Sequence, residues 1–240
     1  MSGFLALIGK DLRTELRTRE VLTTTLVFPL LVLLVFRFAF ETGDVVGMRA
    51  AAPGVVWASA LFASILSLTR SFAAEKEDDR IYGLLVSPVD RGTLYLAKLC
   101  ANLLFLLLVE AVTLLAFVLF FDANLLPGLT LLLPVVLLGT LAISSVGTLF
   151  AAMAVNTRAR EALLPLLLFP VLTPVLLAAL EYTRIALALG SSDAAVAAAA
   201  AAAAQDGMGK WMGTLVAFDV VFTTAGWLLF EHVVSDGGMG

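Results

Sequence analysis

RSFAAEKEDDRIYGLLVSPVDRGTLYLAK, residues Arg70–Lys98, is the polar island between long apolar runs, and its reading decides the fold. It carries five acidic and five basic residues between segments too apolar for water. A charged side chain at the centre of a bilayer costs on the order of 3 kcal/mol on insertion scales, so the island lies outside the hydrocarbon. Its expected role is contact with another protein. Phe72, Glu75, Lys76 and Asp79 share a helical face, which predicts a short helix with one aromatic anchor and several charges. Ser87-Pro88 breaks that helix, and Asp90 is placed to cap the next one.

Outward from the island the chain is apolar in both directions. Of 240 residues, 61% are hydrophobic and 14% charged, and the mean hydropathy is +1.02. These values exclude a soluble globular domain and a nucleic-acid binder. Six segments reach spanning length, at residues 21–40, 52–69, 99–121, 129–155, 162–180 and 211–230. Each must be helical, because lipid offers no partner to open backbone groups. The sequence therefore predicts an all-α integral membrane fold with six spans. Residues 1–20 form an amphipathic interface helix, and residues 21–240 the membrane domain. The first apolar run is too long for the core of a cleavable signal and lacks an A-x-A site, so it reads as a retained span.

Orientation follows from the basic residues. Eleven Lys and Arg lie in the N-terminal helix, the island and the turn at 156–160, against Arg49, Arg184 and Lys210 on the opposite side. This bias places the island and both termini in the cytoplasm. The last outer loop contains an alanine run, 194–204, which Ser191-Ser192-Asp193 can cap and Gly207 and Gly209 can end. Eleven residues rise only about 16 Å, too little to cross a membrane.

Span four aligns Thr140, Ser144, Gly147, Thr148 and Ala151, the small-residue pattern that lets helices approach closely. Pro165, Pro170 and Pro174 predict kinks in span five. Glu110 and Asp219 fall near the middle of spans three and six, with no Lys or Arg at that depth. Each should be neutral or hydrogen-bonded to hydroxyls of neighbouring helices. They serve either a substrate or proton path or a packing lock, and the sequence leaves both open.

No catalytic or metal-ligating set is expected. Glu75-Lys76-Glu77-Asp78-Asp79 is the one acidic cluster, a pattern typical of a solvated helix face, and a phosphate-binding glycine loop is missing. The chain is therefore not expected to hydrolyse ATP. Cys100 stands alone, and His232, near the end of span six, suits a helix C-terminus better than iron.

Glu77–Lys98 resembles the cytoplasmic segment of type-2 ABC transporter permeases, in which an acidic helix and a Ser-Pro-x-x-Arg turn, here Ser87, Pro88 and Arg91, lead into the third span. LRTELRTRE (Leu12–Glu20), APGVVWASALFASILSLTRSF (Ala52–Phe72), LLGT (Leu137–Thr140) and LLPLLLFPVLTPVLLAA (Leu163–Ala179) narrow the resemblance to the CcmB family, haem exporter proteins B of cytochrome c maturation. The likeness covers nearly the whole chain apart from the alanine-rich loop. That family has an F-x-x-D-x-x-D-G motif, and the matching positions here are Phe72, Glu75, Asp78 and Asp79, the last replacing glycine.

The resemblance implies an inner-membrane permease subunit, present as a homodimer in lipid, that binds no cofactor itself. A CcmA-like cytoplasmic ATPase would hold ATP and magnesium. A CcmC-like haem-handling membrane protein and a CcmD-like single-span protein would complete the complex. Phe72, Glu75, Asp78, Asp79, Arg80, Ser87, Pro88 and Arg91 would couple the ATPase to the spans. The work done would be haem export, or ATP-driven release of the haem-loaded periplasmic chaperone. The alternatives are a type-2 permease for a drug, lipid or glycan and, in other classes, a non-energised membrane scaffold or an intramembrane enzyme.

Overall fold

The computed structural model describes residues 2–17, 19–40, 45–77, 90–154, 160–206 and 208–236. Among them the chain is helical apart from short connections. The helices are α1 (Ser2–Arg17), α2 (Arg19–Ala39), α3 (Val45–Glu77), α4 (Arg91–Phe121), α5 (Leu129–Ala154), α6 (Arg160–Leu189), α7 (Ala194–Asp206) and α8 (Met208–Asp236). Five are long and apolar enough to cross a membrane: α3, α4, α5, α6 and α8. The apolar part of α2, Thr23–Ala39, is shorter than those five, although the whole helix has 21 residues. Twenty-one residues rise about 31 Å, close to the thickness of a hydrocarbon core.

The helices start and stop where local chemistry directs. The Asp90 carboxylate accepts the backbone N–H of Thr93 at 3.1 Å, so it is the expected N-cap of α4. α4 ends at Asp122, whose left-handed backbone (φ 47°) a short polar side chain tolerates. A 3₁₀ turn, Leu126–Gly128, then hands the chain to α5. Asp193 accepts from Ala195 N at 2.9 Å and caps the alanine helix, as its sequence predicts.

Several boundaries differ from the hydropathy reading. α3 runs unbroken through residues 70–77, so the first part of the island continues a membrane helix and is not a separate short one. No Gly or Pro stands between Thr69 and Glu77 to interrupt it. α6 passes through Pro165, Pro170 and Pro174 as one helix and continues to Leu189, which takes Arg184 out of the expected loop. The Arg184 guanidinium is held there by both oxygens of Glu181 one turn earlier, at 3.0 and 2.5 Å. Gly209 lies inside α8 and does not end the alanine helix.

α5 is central and packs against α3, α4, α6 and α8. Its small residues admit neighbours: a Cβ on Gly139 would collide with the Trp57 ring of α3, and one on Gly147 with Leu68 Cδ1. Trp57 is fixed further by its indole N–H, which donates to Thr183 Oγ1 on α6 at 2.9 Å. The outward faces of α4, α5 and α8 present Leu115, Leu119, Leu133, Val220 and Leu228. A soluble monomer would not leave so continuous an apolar surface bare.

Contacts sort the helix ends into two levels. Arg37 Nε, near the end of α2, donates to Phe120 O near the end of α4 at 2.8 Å. At the opposite level Tyr95, early in α4, packs its ring on Phe230, late in α8, and Lys98 pairs with Asp11 of α1 at 3.9 Å. The N-terminal helix, the start of α4 and the end of α8 therefore share one end of the bundle.

Candidate functional site

The expected coupling segment is bracketed by two helix ends. Phe72 and Glu75 lie on the last two turns of α3, and their side chains fall outside the described residues. Asp78, Asp79, Arg80, Ser87 and Pro88 are outside them altogether. Arg91 opens α4, half-buried, directly after the Asp90 cap. The segment thus leaves the tip of one membrane helix and enters the first turn of another. α3 extends eight residues beyond Thr69, about 12 Å.

Above that entry, α4 and α5 are joined by two buried side-chain hydrogen bonds. Asn102 Nδ2 donates to Thr148 Oγ1 at 2.9 Å, and Glu110 Oε2 lies 2.5 Å from Thr140 Oγ1. Each rung is eight residues from the other on both helices, the register of an antiparallel pair. All four side chains are buried. Tyr95 O–H adds a third link by donating to Ser145 O at 3.1 Å. Polar bonds of this kind, with small residues, hold helices together where lipid removes the hydrophobic drive.

The Glu110 rung has one further feature. Thr140 Oγ1 is also 2.6 Å from Val136 O, one turn back on its own helix. A hydroxyl has one hydrogen to give and a carbonyl can only accept. Both contacts are hydrogen bonds at once when the Glu110 carboxyl brings its own proton and donates it to Thr140. Glu110 also lines a small cavity with Val56, Trp57, Ala60, Thr113 and Val136.

Asp219 is different. It is 5% exposed, and neither carboxyl oxygen has a hydrogen-bond partner among the described residues. Thr223, one turn along α8, is also without a partner for its hydroxyl. A hydroxyl from a neighbouring helix thus stands beside Glu110, whereas Asp219 has none among the described residues. Thr140, Ser144, Gly147, Thr148 and Ala151 are buried together on α5, as their spacing implies.

Three contributors escape sequence inspection. Asn102 carried a signal, a lone amide two turns before Glu110 in an apolar run. The Trp57–Thr183 bond and the docking of Asp11 on Lys98 depend on which helices are neighbours, which no single segment announces. Among the described residues no three His, Cys, Asp or Glu side chains gather as a metal site.

Comparison with known proteins gives a family. The CcmB protein family matches residues 2–225. Heme exporter protein B of Pseudomonas aeruginosa is 35% identical over 176 residues, 72% of this chain and 77% of that protein. Its namesake in Rhodobacter capsulatus is 34% identical over 181 residues, 75% and 81% of the two chains. That of Haemophilus influenzae is 30% identical over 178 residues, 72% and 78%. An all-helical chain with long apolar helices and a match of this extent belongs to the CcmB family, a family of multi-pass membrane transport proteins.

Proposed function

We propose that this chain is the permease subunit of an ABC transporter that serves haem delivery in cytochrome c maturation. Its relatives' name, heme exporter protein B, supports the cargo. The observation that carries the mechanism is the doubly bonded α4–α5 pair rising directly from the Asp90 cap.

In this reading α2 is a sixth span and the end of the bundle bearing α1 faces the cytoplasm, in line with the distribution of basic residues. A CcmA-like ATPase engages residues 72–91, with Phe72 as anchor, Glu75, Asp78 and Asp79 facing its basic groups, and Arg80, Ser87, Pro88 and Arg91 shaping the turn. Closure of the ATPase displaces the segment and, through Asp90, the first turn of α4. The two rungs make α5 follow α4 as one body, and packed helices shift rigidly rather than bend. Two copies of the chain, with CcmC-like and CcmD-like partners, surround this movement. It exports haem or releases the haem-loaded chaperone on the far side.

The test is co-purification in mild detergent. Glu75→Lys with Asp78→Lys should abolish recovery of the ATPase while the chain still inserts and stays folded. Unchanged recovery would refute this docking site. ATP added to the intact complex, with haem and chaperone followed separately, distinguishes export from release.

A further inference from the structure

α1 sorts its charges by face. Asp11 and Glu15, one turn apart, face the protein: the Asp11 side chain is 15% exposed beside Lys98, and Glu15 is 5% exposed. Lys10, Arg13 and Arg17, at spacings of three and four, form an exposed edge along the helix. Lys10 pairs with Asp11 at 3.1 Å, whereas Arg13 and Arg17 meet no carboxylate among the described residues. Leu5 and Leu16, eleven residues and thus about three turns apart, form a third, apolar line that is 63% and 39% exposed. On the side turned to the bundle, Leu12 packs with Ala63, Phe105, Leu106 and Val109, so α1 lies beside the membrane-embedded part of α4.

We propose that this edge is a binding surface for anionic phospholipid headgroups of the adjoining leaflet. At this depth the Leu5–Leu16 line meets acyl chains, and the neighbouring arginines reach the phosphates while their stems stay in apolar surroundings. Guanidinium groups suit phosphate oxygens, to which they donate two parallel hydrogen bonds. With both acids turned inward, the surface offered to lipid is cationic. Charge complementarity therefore selects anionic over zwitterionic lipid. An acidic protein surface would satisfy the arginines but would leave both leucines bare.

The test is hydrogen exchange of residues 2–17 in the full chain, held in nanodiscs of phosphatidylcholine alone or with roughly one lipid in three replaced by phosphatidylglycerol. Each basic residue near an anionic surface contributes about fivefold, so anionic lipid should slow exchange of α1 on the order of twentyfold. Arg13→Gln with Arg17→Gln should remove the difference between the two lipids and leave exchange in phosphatidylcholine unchanged. Leu5→Ser with Leu16→Ser should speed exchange in both. Unaltered exchange in α4 and α5 checks that the variants are folded. Equal protection of the native chain in both lipids, or protection that arises only on adding the ATPase, would overturn the proposal.

Discussion

Replacing Thr140 with Val removes one hydroxyl and almost no volume, and with it both the rung to Glu110 and the bond to Val136 O, so a double-mutant cycle is needed to isolate the rung. The substitution leaves a buried carboxyl without its partner, at a cost of about 1–3 kcal/mol for a neutral group. Interhelical hydrogen bonds in membranes average about 0.6 kcal/mol and reach about 1.7, because the unfolded chain finds other partners. We therefore expect Thr140→Val to destabilise by about 1–2 kcal/mol. In a double-mutant cycle with Glu110→Leu the coupling energy should be about 1 kcal/mol. Unfolding free energies measured in bicelles by steric trapping supply the values. The Asn102–Thr148 rung lies eight residues away, about 12 Å along the helix, and its own cycle should add to the first without interaction. A coupling below about 0.3 kcal/mol at both rungs would refute the idea that α4 and α5 are held as one body.

Glu110→Gln keeps a donor for Thr140, so assembly and at least half of haem delivery should survive; loss of delivery in a folded variant, read from cytochrome c yield, would show that the carboxyl must exchange a proton. Asp219→Leu removes a buried acid that has no partner among the described residues, and should raise unfolding free energy by about 1–3 kcal/mol in the same assay. A destabilised Asp219→Leu would mean that the carboxyl has a partner beyond the described residues. Gly147→Ala forces a methyl into Leu68 and should cost about 1–3 kcal/mol, whereas in a Leu68→Ala background the added methyl should be rescued, costing almost nothing more than Leu68→Ala alone. Failure of that rescue would move the constraint from packing to the backbone.

The membrane helices could be read from composition because apolar runs in lipid have no alternative to helix. Their ends could not. Hydropathy reports the greasy part of a helix, and α3 and α4 each carry polar turns beyond it, α3 through residues 70–77 with no Gly or Pro to stop it. Arg184 looked like a loop residue because its partner Glu181 had to be placed on the same face before the pair became neutral. Asp90 and Asp193 were legible because caps are local chemistry. Within the site, Glu110 and Thr140 were each conspicuous alone, whereas their pairing depends on the register of two helices. Asp219, on α8, finds no such hydroxyl among the described residues, a difference from Glu110 that equal depth in the sequence does not reveal.

The overhang of α3 past Thr69 bears on the lipid around it. A bilayer a few ångströms thicker would only submerge part of those polar turns, at fractions of a kcal/mol per ångström. The length by which α3 reaches past Thr69 is thus set by protein, not by membrane, and should stay constant as the cell changes its fatty acids with temperature.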